Sequence, residues 1–187
     1  TPPKKCADYA FQQHIQKSLD SKNGRSITLW PHGILFRGSE SDIRKEMVKD
    51  DQVECVIGLG PNLFYNSPME SCLLITRTNK SKARKEKILI INAIKEIKQE
   101  QNLAFLQTHN LNRIFDTYTK FSDEEGFSKV VSIKEVLKNN GSLNIAQYVS
   151  NVSTLKKDDS FNNIYNNFKV RYFEFKESIK RLFETIN

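Results

Sequence analysis

Histidine is the side chain best suited to move a proton near neutral pH, and this chain has three, at 14, 32 and 109. His32 stands in Pro31-His32-Gly33, directly after an apolar run, where a general base could face solvent at a strand end. That chemistry needs a carboxylate or nucleophile beside the ring. None stands at a suggestive spacing, so His32 reads as a turn residue. His14 and His109 fall within helical patterns and carry no constellation. Cys6, Cys55 and Cys72 are an odd count, and no His, Cys or carboxylates here have metal-ligand spacing. Cys55 and Cys72 lie inside apolar runs, as reduced thiols acting as small hydrophobes do, which points to the cytoplasm. Gly58-Leu59-Gly60 could let backbone approach a ligand, but it runs into Pro61 and turn geometry explains it better.

Basic side chains offer a second kind of chemistry. Lys and Arg number 29 against 22 Asp and Glu, a net charge of +7 that leans modestly toward a polyanionic partner. Six of them (Arg77, Lys80, Lys82, Arg84, Lys85 and Lys87) fall in one short run, with Glu86 as its acidic member. Such a run is either a solvated loop between two strands or a loop that contacts phosphates, and composition alone decides neither. Arg37 poses the same choice. It could reach a phosphate or pair with Glu40 or Asp42, and the neighbouring carboxylates favour the pair.

These residues need elements to hold them. A chain of 187 residues can bury a core without disulfide or metal staples. With 38% hydrophobic and 27% charged residues, seven Gly and five Pro, collagen-like, mucin-like and wholly disordered classes are excluded. No apolar run approaches the ~20 residues of a membrane span, and no leader pattern opens the chain. Ala7, Ala10, Phe11, His14 and Ile15 predict a helix that Asn23-Gly24 ends. Ser26–Trp30 predicts a buried strand, and Ser39 with Asp42 predicts a capped helix to about Val48. Val53–Leu59, Ser71–Thr76 and Ile88–Asn92 read as further strands. Four apolar strands with a helix before the first and second predict an α/β fold whose sheet is buried on both faces.

Beyond Asn92 the apolar residues thin out. Helical spacing returns at Leu111, Ile114, Phe115, Tyr118 and Phe121, and Val130–Ile133 reads as a brief strand or the start of a helix to Lys138. From Phe161 through Ile164, Tyr165, Phe168, Tyr172 and Phe175 to Phe183, apolar residues follow the stripe of an amphipathic helix. A terminal helix this aromatic has little core left at its own end of the chain, which points to a partner.

The runs Ala7-Asp8-Tyr9-Ala10-Phe11, Trp30-Pro31-His32-Gly33-Ile34-Leu35-Phe36-Arg37-Gly38 and Ile57-Gly58-Leu59-Gly60-Pro61-Asn62-Leu63-Phe64-Tyr65 are more specific. Ser67–Ile75, Ile88–Ala93, Phe127–Val131 and Leu143–Val149 continue the series in order. From about residue 4 to residue 150 the chain resembles the modification (M) subunit of type I restriction-modification systems, an adenine-N6 DNA methyltransferase. The resemblance implies the later half of a Rossmann-like, S-adenosylmethionine-dependent methyltransferase sheet with antiparallel final strands, followed by a helical C-terminal tail. It implies a start in the middle of that domain. Residues 1–100 would be the C-terminal half of the α/β domain, 101–150 a mixed helical extension, and 151–187 a docking helix.

The resemblance also implies roles. Phe64 would stack on a flipped adenine, against the alternative of a core ring after a Pro-Asn turn. Asp8 and Tyr9 would open the helix beneath that pocket, with N-capping the other duty for Asp8. Arg37, Arg77, Lys80, Lys82, Arg84 and Lys85 would be the DNA-binding candidates. The family's Gly-rich cofactor turn is missing, as is its Asn/Asp-Pro-Pro-Tyr/Phe motif. Thr1-Pro2-Pro3-Lys4 has no amide before the prolines and no aromatic after them, and reads as the loop past that motif. S-adenosylmethionine would therefore serve the complete enzyme. This chain alone would have no catalytic residue, bind no cofactor and methylate nothing. Implied partners are DNA, the specificity subunit at the tail, the restriction subunit in the full complex, and the missing N-terminal half. Two rivals remain: a non-enzymatic remnant or interaction module that binds the specificity subunit or DNA, and an unrelated basic nucleic-acid-binding protein. The last would explain the charge but not the ordered motifs.

Overall fold

A computed structural model describes residues 7–65, 67–101 and 103–149, together with Tyr165, Phe168, Lys169, Tyr172 and Lys176. The chain divides into two compact units, Thr1–Asn151 and Val152–Asn187. Cys6, the Thr1-Pro2-Pro3-Lys4 opening and most of the tail stripe, from Phe161 to Phe183, lie outside the described residues.

The first unit is built on a five-stranded sheet. Its elements run α1 (Asp8–Ser18), β1 (Arg25–Pro31), α2 (Ser41–Lys49), β2 (Val53–Leu59), β3 (Ser71–Arg77) and β4 (Lys87–Ala93). They continue with the hairpin β5 (Lys98–Glu100) and β6 (Leu103–Phe105), then α3 (Thr108–Lys120), β7 (Ser128–Ser132), α4 (Ile133–Lys138) and α5 (Ile145–Tyr148). The strand order is β1-β3-β2-β4-β7. Only β2 and β4 pair in parallel, whereas β3 runs antiparallel to both β1 and β2, and β7 antiparallel to β4. The sheet is therefore mixed and mainly antiparallel. β1 and β2 point the same way, joined through α2, with the returning β3 slotted between them.

Runs of β-branched and leucine residues, Val56–Ile57 in β2 and Ile88–Ile91 in β4, are buried on both faces. Val56, Leu74, Ile88 and Ile90 face one core with Ile34, Leu35, Val48 and Val136. Cys55, Ile57, Ile75, Leu89 and Ile91 face the other with Phe127, and Ile114 and Tyr118 of α3 pack against it. Period-two alternation sends neighbours to opposite sides, so an unbroken apolar strand supplies two cores at once.

Three expectations change. β1 is an edge strand, not a buried one: Ile27 and Leu29 are 54% and 45% exposed, and alternate residues are shielded. The strand pairs with β3 alone, so its outer edge has no strand partner among the described residues. The Ser39–Asp42 cap is absent, because a 3₁₀ turn at Gly38–Glu40 comes first and Glu40 stands at the N-cap of α2 without a side-chain cap bond. In α1 the buried residues are Tyr9 and Gln12, while Phe11 is 62% exposed. Polar bonding turns that helix: Gln12 Oε1 accepts from Thr28 Oγ1 at 3.0 Å and from Trp30 Nε1 at 2.9 Å. Val130–Ile133 proves to be both strand and helix start, with the Ser132 hydroxyl capping α4 through Glu135 N.

In the second unit, Tyr165, Phe168 and Tyr172 are helical and exposed, with Phe168 stacked on Tyr172 at 6.3 Å between ring centroids. No described helix is long and apolar enough to cross a membrane.

Candidate functional site

The C-terminal ends of β1 and β2 and the start of β3 meet at one end of the sheet, where the Pro61–Glu70 loop passes from β2 to β3. Backbone hydrogen bonds hold this loop at particular points. Asn62 adopts φ of 59°, Ala104 N donates to Asn62 O at 3.0 Å, and Ser67 N donates to Phe64 O at 3.0 Å. His32 closes the far end: its backbone N donates to Glu70 O at 3.4 Å and its Nδ1 lies 3.0 Å from Glu70 Oε2. Phe64 is 37% exposed and belongs to neither core. Tyr65 and Met69 stand out further, and Phe36 meets the His32 ring edge-on at 6.2 Å. The loop thus offers an unburied ring beside a backbone hydrogen bond, and an open ring face is what stacking on a planar ligand needs.

Asp8, Tyr9 and Arg37 form one cluster. The Arg37 guanidinium bonds the Asp8 carboxylate, and its Nε lies 2.8 Å from Glu40 Oε2, whose side chain is fully buried. Asp42 pairs instead with Lys45 at 3.7 Å. Asp8 does not cap α1, whose N-cap is Ala7. Tyr9 is buried and donates its hydroxyl to Ile34 O at 3.1 Å. Burial pushes its phenol well above the usual range, although Arg44 nearby opposes the shift. Arg44, itself buried, donates to Ile34 O, Arg37 O and Gly141 O. The turn after β1 is therefore braced from α1, α2 and the segment after α4.

The basic run divides. Arg77 Nε lies 3.0 Å from Glu54 Oε2 and Arg84 Nη1 3.2 Å from Glu54 Oε1, while the Tyr118 hydroxyl donates to the same buried carboxylate. Arg84 also donates to Tyr118 O and Thr119 O and lies over the Tyr118 and Phe121 rings. Lys80 is buried against Asp51 and donates to Lys87 O at 2.8 Å. Burial lowers its ammonium pKa against the opposing pull of Asp51. Lys82, Lys85 and Lys87 remain exposed. Half of the run thus ties β2, β3 and α3 together, and the other half faces solvent.

Gly58 and Gly60 pack against the chain's own side chains and backbone. A Cβ on Gly58 would come 2.5 Å from Ile145 Cδ1, and one on Gly60 would come 2.4 Å from Ile94 O and 2.8 Å from Ile97 Cδ1. The chain's own residues fill the space beside both glycines, so the glycines serve close packing. The His32–Glu70 and Glu54–Arg84 pairs escape sequence reading, since 38 and 30 residues separate their partners. Only the strand pairing brings them together.

The N-6 DNA methylase family matches residues 1–157. Over its full length the chain is 38% identical to the type I restriction enzyme MjaVIII methylase subunit of Methanocaldococcus jannaschii, covering 33% of that protein. It is 31% identical to the type I restriction enzyme MpnII methylase subunit of Mycoplasma pneumoniae, across 79% of this chain and 27% of that one. The crystal structure of the type I restriction-modification methyltransferase subunit from Streptococcus thermophilus superposes with a TM-score of 0.74 at 32% identity, over 79% of this chain and 31% of that one. The chain spans about a third of the length of these relatives. A family match across most of its residues places this chain in the N-6 DNA methylase family.

Proposed function

We propose that this chain is the C-terminal portion of a type I modification subunit, which when complete transfers a methyl group from S-adenosylmethionine to adenine N6 in DNA. One observation carries the reading. The sheet stops at β1, whose outer edge has no strand partner among the described residues and whose Ile27 and Leu29 are exposed beside it. An apolar groove of about 480 Å³ adjoins that edge, lined by Ile27, Leu73, Ile75, Leu111 and Phe115. An open strand edge continuous with an uncovered apolar face is a surface that further chain must cover. The relatives' other two thirds would supply that chain, with the cofactor turn and the catalytic amide.

In this reading the present chain adds no reacting group. Phe64 stacks on the flipped adenine from the Pro61–Glu70 loop, and Asp8, Tyr9 and Arg37 brace the turn after β1 from below. Lys82 and Lys85 meet DNA phosphates. Arg77, Lys80 and Arg84, engaged inside the fold, act on DNA by holding that loop in place. The exposed rings of Tyr165, Phe168 and Tyr172 belong to the face that docks on the specificity subunit, and the restriction subunit joins the assembled complex.

The test is methyl transfer from labelled S-adenosylmethionine, comparing the isolated chain with the longer polypeptide that contains it, each mixed with specificity subunit and DNA. Label should enter adenine N6 only with the longer polypeptide. Transfer by the isolated chain would overturn its inactivity, and no transfer by either would leave the interaction-module reading in its place.

A further inference from the structure

The Pro61–Glu70 loop carries Phe64 at its middle, and its end is held by a side-chain pair outside the loop's own hydrogen bonding. His32 ends β1, Glu70 precedes β3, and the two meet twice, through backbone N to O at 3.4 Å and through Nδ1 to Oε2 at 3.0 Å. The His32 side chain is 17% exposed and that of Glu70 43%, so the contact is sheltered on one side. A carboxylate accepts a hydrogen bond from the ring N–H it faces, and this contact fixes the ring's orientation. Phe36 packs against that ring edge-on and limits its rotation. The loop is thus clamped at Asn62 by the β5–β6 hairpin and at Glu70 by His32, with Phe64 between the two clamps.

We propose that His32 and Glu70 are a positioning pair, fixing the loop so that Phe64 is presented in the orientation that receives an unstacked base. The proposal rests on the reading of Phe64 as the base-stacking ring. The pair touches no reacting atom; it acts through the loop backbone. Without the side-chain contact the loop keeps its exposed ring and the His32 N to Glu70 O bond, but this anchor is weakened and the ring is held less firmly at one angle. Misplacement of a contacting group by about 1 Å can cost up to ~100-fold in rate, so the effect belongs in turnover more than in DNA affinity.

The experiment uses the complete methyltransferase with its specificity subunit, on a duplex carrying 2-aminopurine in place of the target adenine for the flipping signal and an unmodified duplex for turnover. His32→Ala and Glu70→Ala should each lower kcat about tenfold and reduce the fluorescence rise on flipping, with KM for DNA changed less than about twofold. His32→Asn, whose amide N–H can stand in for Nδ1–H, should recover most of both. His32→Phe keeps the ring volume and removes the nitrogen, so a loss of kcat there at unchanged Tm separates positioning from packing. If these variants match the unaltered enzyme in kcat and fluorescence while Phe64→Ala loses both, the positioning role is wrong and the Phe64 reading stands. If Phe64→Ala also changes nothing, both fall. Losses confined to Tm or to KM, with kcat kept, overturn positioning as well.

Discussion

The Arg84 guanidinium reaches the Glu54 carboxylate at 3.2 Å, joining the basic loop to a strand 30 residues earlier. Glu54 is buried, and Arg77 and Tyr118 meet the same carboxylate, so one acidic group gathers β2, β3, the loop and α3. Such a carboxylate is tolerated in the interior because cations and a hydroxyl surround it.

Removing Glu54 leaves two arginines facing each other without their shared partner. Glu54→Ala should destabilise the chain by about 2 kcal/mol, less than the ~3–5 kcal/mol of a fully buried broken pair because both arginines keep some access to water. Glu54→Gln, which retains one acceptor, should cost less. Urea unfolding followed by circular dichroism checks the order.

The two halves of the basic run should respond differently to charge removal. In the complete protein, Lys82→Ala with Lys85→Ala should weaken DNA binding at unchanged Tm and reduce the log–log salt slope by about two. Arg77→Ala or Arg84→Ala should lower Tm. Salt titrations of fluorescence anisotropy measure the slope, and an unchanged slope in the double variant would remove both lysines from the interface.

Gly60 separates packing from cofactor binding. Its absent Cβ would meet the Ile94 backbone oxygen, which cannot step aside as a side-chain tip can. Gly60→Ala should therefore cost about 1–3 kcal/mol of stability in the isolated chain, with no cofactor present. Thermal unfolding decides it; an unaltered Tm would reopen the turn as a ligand site.

Isolated from further chain, the β1 edge should pair with itself. The chain should sediment as dimers or larger species at high concentration, and Ile27→Lys should shift it toward monomer by placing a charge on the exposed edge. A stable monomer at high concentration would contradict the open-sheet picture.

Burial raises the Cys72 thiol from an ordinary value of 9.0 to about 12, and burial together with Glu54 pushes Cys55 the same way. The folded state thus holds the Cys72 proton where the unfolded chain would release it. This leaves stability unaffected below pH 9 and erodes it as pH rises from about 9 toward about 12. In a Cys6→Ser variant neither thiol should react with a disulfide reagent at pH 8 until the chain unfolds, as following absorbance with and without guanidinium would show.

The apolar runs at Val53–Leu59, Ser71–Arg77 and Lys87–Ala93 determine by themselves that a two-faced sheet forms, because every second residue must find a core on each side. The ordered motifs from Ala7 to Val149 determine the family as well, since they are a string of local matches. Local sequence does not carry pairing. The order β1-β3-β2-β4-β7 puts β1 at the edge, and the exposure of Ile27 and Leu29 is set by what packs on that face of the sheet. The fate of each charge is decided at the same level. Lys80 and Lys82 are two residues apart and chemically alike, yet one is buried on Asp51 and the other faces water. His32 likewise gains its carboxylate only when β3 returns antiparallel to β1 and sets Glu70 beside it. Burial and ion pairing depend on distances across the sheet, which chain order does not encode.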